Sequence, residues 1–187
     1  MRAGLLLFDT GIGFGNSAID EAYHPTVRDL PALMRERGLE PDEVVALACS
    51  HLHFDDAGQN AAFPGRPIHV QAAEREPARA ADYTVDAWVD FPGACYVEHA
   101  GEVELLPGVR LIPTPGHTPS HQSLVVDGMA GRTVLIGQAV YTRAEWDGST
   151  DPAVSGAASA WDRAAYRSSV ARLRALQPDV LLFGHDR

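Results

Sequence analysis

The stretch Ser50-His51-Leu52-His53-Phe54-Asp55-Asp56-Ala57-Gly58 follows an apolar, strand-like run from Val44 to Cys49. It places two histidines two residues apart and a carboxylate two residues further on. Imidazole nitrogen and carboxylate oxygen are ligands that zinc accepts, and three such ligands with room for water are typical of a catalytic site. The alternative is a polar loop whose histidines bond to backbone carbonyls. The spacing at the end of a buried strand favours a metal site, and further ligands are then expected later in the chain.

The composition is that of a globular protein. The chain has 187 residues, of which 45% are apolar and 21% charged, so we expect one domain over residues 1–187. A net charge of -10 argues against nucleic acid or an anionic membrane as partner. All the basic residues are arginines, which excludes a lysine nucleophile. No secretory leader or membrane-length apolar run is evident, so the cytoplasm is the expected location.

Strand and helix patterns alternate in the first half of the chain. We predict strands over residues 5–8, 44–49 and 67–70, a helix over 29–37, and helical structure over 71–79. The strand–helix–strand order indicates a covered sheet of the α/β class. Two hairpins are predicted, over residues 101–112 and 124–136. A capping-box spacing starting at Ser159 predicts the last helix, and residues 180–183 a final strand.

Polar side chains recur where the predicted strands end. Asp9 either caps its own turn or orients a metal-bound histidine. His117, held between glycine and threonine in the segment Pro115-Gly116-His117-Thr118-Pro119, lies on a stiff loop that suits a ligand, whereas His121 is expected to be structural. Gln138, Tyr141 and His185 follow at later strand ends. The aromatic residues of segment 80–93 are expected in the core, without a role in the site.

Taken together, these pieces resemble the metallo-β-lactamase superfamily, and in particular the N-acyl homoserine lactone lactonases and related hydrolases. The matching motifs are Asp9-Thr10-Gly11, Ser50-His51-Leu52-His53-Phe54-Asp55, Thr114-Pro115-Gly116-His117-Thr118-Pro119 and Gly184-His185. They occur in the order of the family and span nearly the whole chain. Any one motif alone would be weak, but the set is specific.

The resemblance implies a fold, a metal site and residue roles. It implies an αββα sandwich with the metal site at one edge, between two sheets. By position, His51, His53 and His117 match the ligands of the first metal, and Asp55 and His185 those of the second. Tyr141 falls where lactonases of this group have a tyrosine that contacts the substrate carbonyl. Zinc is the expected metal, as one or two ions, and nickel, iron and manganese are alternatives.

The chain departs from the family pattern at two ligand positions. Asp56 stands where the last histidine of His-x-His-x-Asp-His belongs, and Gln138 stands where the family has an aspartate that bridges both metals. Either Asp56 supplies the missing anion in a rearranged two-metal site, or the second site is weak or empty. The second interpretation is favoured slightly, because a terminal carboxylate replaces a bridge only if the backbone moves.

The expected chemistry is hydrolysis of a small lactone or ester by metal-bound hydroxide. Tyr141 would hydrogen-bond the carbonyl as charge develops, and Asp55 would hold the nucleophile and pass a proton to the leaving oxygen. A thioester hydrolase resembling glyoxalase II is one alternative. Another is a degenerate member that binds a metal or ligand without turnover, which Asp56 and Gln138 favour.

The start of the chain also departs from the family. Only eight residues precede Asp9, where family members usually have several strands. Three expectations follow: the first sheet is thinner on this side, a partner subunit completes it, or the choice of start codon has cut it short. An exposed sheet edge would favour a homodimer.

Overall fold

The computed structural model describes residues 4–80, 82–149 and 156–185. This part of the chain divides into two compact units, one formed by Met1–His69 with Arg75–Val97 and the other by Val70–Glu74 with Glu98–Arg187. The expected mixed α/β class is confirmed, with two separate sheets. Among the described residues, no helix is long and apolar enough to cross a membrane. The organisation of residues 1–187 as a single domain stays a prediction.

The first sheet has the strand order β1-β2-β3-β4. Its strands are β1 (Leu5–Phe8), β2 (Val44–Ala48), β3 (Pro67–Gln71) and β4 (Cys95–His99). β1 pairs with β2 in parallel, and β2 pairs with β3 in parallel. Parallel strands need a crossover, and it runs through the helices α1 (Ser17–Tyr23) and α2 (Leu30–Glu36). α3 (Asp86–Val89) precedes β4.

The ends of α2 follow directly from its sequence. The Asp29 side chain accepts a hydrogen bond from Ala32 N at 2.7 Å, and Pro31 lies in the first turn, where no backbone donor is needed. Gly38, at φ +74°, lies just beyond the end of the helix. The predicted helix over 29–37 is therefore confirmed to within one residue at each end.

The second sheet has the strand order β5-β6-β7-β8-β9. Its strands are β5 (Val103–Leu106), β6 (Val109–Pro113), β7 (Gln122–Gly128), β8 (Gly131–Leu135) and β9 (Val180–Leu182). Both predicted hairpins are present as antiparallel pairs, β5 with β6 and β7 with β8. α4 (Arg143–Trp146), α5 (Gly156–Ser159) and α6 (Arg163–Ala175) lie between β8 and β9. A buried cluster that includes Ile112, Val125, Val134, Ile136 and Leu173 joins α6 to this sheet.

Two predicted elements differ from the structure. Segment 71–79 forms the end of β3 and two short 3-10 turns, because Pro77 lacks the backbone N–H that a continuous helix would need. The last helix begins at Arg163 rather than next to Ser159. The Asp162 side chain accepts hydrogen bonds from Ala164 N and Ala165 N, at 2.7 and 3.0 Å, and is the actual cap.

Candidate metal centre

The loop after β2 is held in place by the turn after β1. Asp9, at φ 61°, accepts a hydrogen bond from Ser50 N at 2.6 Å through its Oδ1. Thr10 N donates to the carbonyl oxygen of Asp56 at 2.7 Å, and Gly58 N donates to that of Gly11 at 2.8 Å. The side chain of Asp9 therefore fixes the start of the His51–Asp56 loop, and the backbone of the same turn fixes its end. That Asp9 also orients a metal-bound histidine stays a prediction.

Gly58 is required by how closely the two segments approach. A Cβ on Gly58 would lie 2.1 Å from Gly13 N and 2.7 Å from Ile12 C. Both are backbone atoms, so neither can rotate away. Only a residue without a side chain fits between the loop and the turn.

His51 and His53 present ring nitrogens to each other. His51 is fully buried, and its Nδ1 lies 2.9 Å from the Ser50 hydroxyl. Its Nε2 lies 2.9 Å from His53 Nδ1. The ring of Tyr83 packs on that of His53, with centroids 4.4 Å apart. Burial lowers the pKa of His53, although Asp55 opposes the shift, so the imidazole is held in the neutral form that binds metals.

Three carboxylates lie beside this histidine pair. Burial raises the pKa of Asp9 to about 7. It also raises the pKa of Asp56 well above its usual range, and the negative charges of Asp9 and Asp55 raise it further. Asp56 Oδ2 lies 3.6 Å from His51 Nε2, and in the described part of the chain this buried oxygen has no hydrogen-bond partner. A divalent cation would offset the repulsion and bind that oxygen, so the residues present fit a metal.

The second unit contains the His117 loop, and the first turns of α6 hold this loop. Asp162 N donates to the carbonyl oxygen of Gly116 at 3.1 Å, and Ser169 Oγ donates to that of Pro115 at 2.6 Å. Gly116 adopts φ +143°, and a Cβ there would lie 2.4 Å from the Cα of Tyr166. The predicted stiffness of this loop therefore comes from a helix packed directly on its backbone as well as from its prolines.

Three further candidates lie with His117 in this unit. The Tyr141 hydroxyl is 3.0 Å from His117 Nδ1, and the rings of Tyr141 and His185 have centroids 5.5 Å apart. The side-chain nitrogen of Gln138 contacts His185 Nε2.

His121 is fully buried, its Nδ1 lies 2.9 Å from the Thr114 hydroxyl, and its Nε2 accepts from Gln138 N at 3.0 Å. Both ring nitrogens of His121 are thus engaged, as expected for a structural histidine.

The sequence-predicted residues therefore fall into two sets. The first unit holds His51, His53, Asp55 and Asp56, and the second holds His117, Gln138, Tyr141 and His185. Sequence reasoning missed the residues that support each set, which are Tyr83 in the first unit and Glu74 and Glu145 in the second. Glu74 is buried and accepts from the hydroxyls of Thr118 and Ser120, directly after His117. Nothing in the local sequence marks the contact of Tyr83 with His53, those of Glu74 with Thr118 and Ser120, or that of Glu145 with Tyr166, because these partners are distant in the chain.

Comparison with known proteins identifies the family. The model of the metallo-beta-lactamase superfamily matches residues 2–185. An N-acyl homoserine lactonase of Bacillus sp is 35% identical over 158 residues, covering 82% of this chain and 60% of the relative. A crystal structure of a quorum-quenching N-acyl homoserine lactone lactonase superposes with a TM-score of 0.81 at 32% identity, covering 100% of this chain and 76% of that one.

A second solved structure is an N-acyl homoserine lactone hydrolase with the product N-hexanoyl-L-homoserine bound at its catalytic metal centre. It matches with a TM-score of 0.79 at 30% identity and covers 99% of this chain and 78% of that one. The chain spans about 60% of the length of the curated lactonases that it matches. The match over nearly every residue of the chain, together with the motifs described above, shows that the chain belongs to the metallo-β-lactamase superfamily.

Proposed function

We propose that the protein is a metal-dependent hydrolase that opens a small lactone or ester. The observation that carries the proposal is the loop after β2, where His51, His53 and two carboxylates converge and Asp56 has a buried oxygen without a hydrogen-bond partner. Such an arrangement is costly without a cation, because like charges in a buried site repel each other. We propose zinc as the metal, held by His51, His53 and His117.

Similarity supports a lactone as the substrate. The relatives that match over most of this chain include N-acyl homoserine lactonases, and one similar solved structure has the product N-hexanoyl-L-homoserine bound at its catalytic metal centre. We propose that Tyr141 corresponds to the tyrosine that contacts the substrate carbonyl in lactonases of this group. The chain spans about 60% of the length of the curated lactonases, so we propose a lactone as its substrate instead of transferring theirs to it.

A bound divalent ion would lower the pKa of a water molecule and polarise a carbonyl oxygen. The chain's own residues supply the other steps. The phenol of Tyr141 would donate a hydrogen bond to the carbonyl oxygen as negative charge develops there. The carboxylate of Asp55 would accept a proton from the attacking water and later pass it to the leaving oxygen.

The contact between Gln138 and His185 favours one strong metal site over two. A ring nitrogen of His185 contacts the amide of Gln138. An amide brings no negative charge, so a second ion would depend on Asp55 and Asp56 for its anionic ligands. We propose that Asp55, Asp56, Gln138 and His185 form a weaker second site. The same contact supports the alternative of a degenerate member that binds a metal without turnover.

Hydrolysis assays separate these proposals. The zinc-loaded protein is tested on N-hexanoyl homoserine lactone, on a simple ester and on a thioester of the same acyl chain. Lactone opening that is lost with a chelator and restored by zinc supports the proposal, and preference for the thioester supports the glyoxalase II-like alternative. His117→Gln should lose activity, whereas the control His99→Gln should retain it. Zinc binding without turnover of any of the three substrates would support the degenerate alternative.

A cytoplasmic location and a homodimer stay predictions.

A further inference from the structure

Glu145 is the one acidic residue of α4, and its carboxylate links two tyrosines. Its Oε2 accepts a hydrogen bond from Tyr141 N at 2.9 Å, and its Oε1 accepts one from the Tyr166 hydroxyl at 2.7 Å. Its own backbone N donates to the Thr142 hydroxyl at 3.2 Å, which caps the helix. Glu145 is therefore fixed by its main chain, while its side chain joins the segment that follows β8 to α6.

Tyr166 is attached to the loop that carries His117. Its Cα faces Gly116 so closely that a Cβ on that glycine would lie 2.4 Å away. Burial, together with the nearby Glu145 carboxylate, raises the pKa of Tyr166, so its hydroxyl stays protonated and donates to Glu145. The helix thus fixes both the backbone of the His117 loop and, through Glu145, the backbone of Tyr141.

Tyr141 in turn contacts His117, so Glu145 and Tyr166 are linked to this histidine. If His117 binds a metal through Nε2, its Nδ1 is protonated and donates to the Tyr141 oxygen, 3.0 Å away. The hydroxyl hydrogen of Tyr141 is then available for Ser159 Oγ, at 3.2 Å, or for a substrate carbonyl. Hydrogen bonds to the outer nitrogen of a ligating histidine fix its tautomer and ring orientation.

We propose that Glu145 and Tyr166 are positioning residues, which hold Tyr141 against His117 and thereby set the orientation of this metal ligand. The inference rests on the proposed function insofar as His117 is a ligand. Neither residue is proposed to contact the substrate. Both act through the placement of Tyr141.

The test compares four variants. Tyr166→Phe and Glu145→Ala each remove the link between α6 and Tyr141. Glu145→Gln retains it, because an amide oxygen accepts from Tyr141 N while the amide nitrogen donates to the Tyr166 oxygen. Tyr96→Phe is the matched control, since Tyr96 is a half-buried tyrosine of the other unit whose hydroxyl donates to Val89 O at 2.7 Å. If the charge of Glu145 mattered and its hydrogen bonds did not, Glu145→Gln would have the same effect as Glu145→Ala, which would contradict the proposal.

The first readout needs neither metal nor activity. The side-chain 15N signals of His117 are recorded in histidine-labelled wild-type protein and in each of the four variants. Tyr141→Phe, which removes the contact with His117 outright, is the reference variant. Tyr166→Phe and Glu145→Ala should shift these signals in the same direction as Tyr141→Phe, whereas Glu145→Gln and Tyr96→Phe should leave them in place. Signals of His117 that are identical in Tyr166→Phe and Tyr96→Phe would overturn the inference, whether or not the protein hydrolyses lactones.

The second readout is zinc affinity, measured by competition with a chromophoric chelator. Loss of an outer partner of a metal ligand costs about tenfold or more in affinity. Tyr141→Phe should show such a loss, and Tyr166→Phe should weaken binding in the wild-type background but add nothing to Tyr141→Phe. Additive losses in the double variant would contradict a role through Tyr141. A wild-type protein that binds no zinc would refute the proposed function and leave the 15N comparison to decide the positioning.

Discussion

Replacing Gly58 by alanine should separate the His51–Asp56 loop from the turn that supports it. The added Cβ would lie 2.1 Å from Gly13 N and 2.7 Å from Ile12 C, so backbone must move. Overpacking of this kind costs about 1–3 kcal/mol. The movement also strains backbone hydrogen bonds such as Gly58 N to Gly11 O, each worth about 1 kcal/mol. Taking the overpacking together with one weakened hydrogen bond, we expect the free energy of unfolding to fall by about 2–4 kcal/mol.

The matched control for this prediction is Gly128→Ala. Neither glycine has a positive φ, and the nearest atom to a Cβ on Gly128 is 3.8 Å away, so the two variants differ in the space available. Gly128→Ala should be neutral or stabilise by up to about 1 kcal/mol through the unfolded chain. Both are measured by urea denaturation of metal-free protein, and zinc affinity should fall only for Gly58→Ala. Equal unfolding free energies for the two variants would refute the argument from close approach.

Three further predictions concern the site and the core. Tyr141→Phe at saturating zinc should lower kcat by about a hundredfold, because a donor to the developing charge is lost; an unchanged kcat in steady-state assays would remove Tyr141 from the reaction. The folded-state pKa of Asp9 is about 7 against an ordinary value of 3.8, so its contribution favours the folded metal-free protein at low pH and is lost as the pH rises from 3.8 to about 7. Urea denaturation across that range should show this loss in the wild type and a shallower one in Asp9→Asn, and equal slopes would count against it. Leu173→Ala should cost about 2–5 kcal/mol of unfolding free energy, because the side chain is fully buried. Leu182→Ala, at a leucine that is 50% exposed, should cost less than about 1 kcal/mol in the same assay, and similar losses would contradict the assignment of the core.

The sequence predicted the strands and hairpins well where local patterns determine them. β1, β2, α2 and both hairpins follow from apolar runs, a capping aspartate and turn glycines, and all of them are present. Segment 71–79 has helical composition apart from Pro77, and it forms two short 3-10 turns instead of one continuous helix because Pro77 interrupts it. α1 and β4 were not predicted, since neither has a clear apolar period.

The site was predictable only in part. Metal-binding residue types at strand ends are visible in the sequence, and their order indicated the family that the comparison shows. The contacts of Asp9 with Ser50, of Tyr83 with His53 and of Glu145 with Tyr166 join residues that are remote in the chain. Such contacts depend on how the elements pack, and no local pattern in a single sequence indicates them.

Metal content per chain tests directly whether the proposed metal centre exists. Protein purified without chelator or added metal is analysed by elemental analysis, before and after reconstitution with zinc, manganese, iron or nickel. We predict about one tightly bound equivalent of a divalent metal, with a second binding more weakly through Asp55, Asp56, Gln138 and His185. His53→Gln should lose the tight equivalent, and His99→Gln should retain it. A wild-type protein that holds no metal even after reconstitution would contradict the proposal that this chain is a metal-dependent hydrolase.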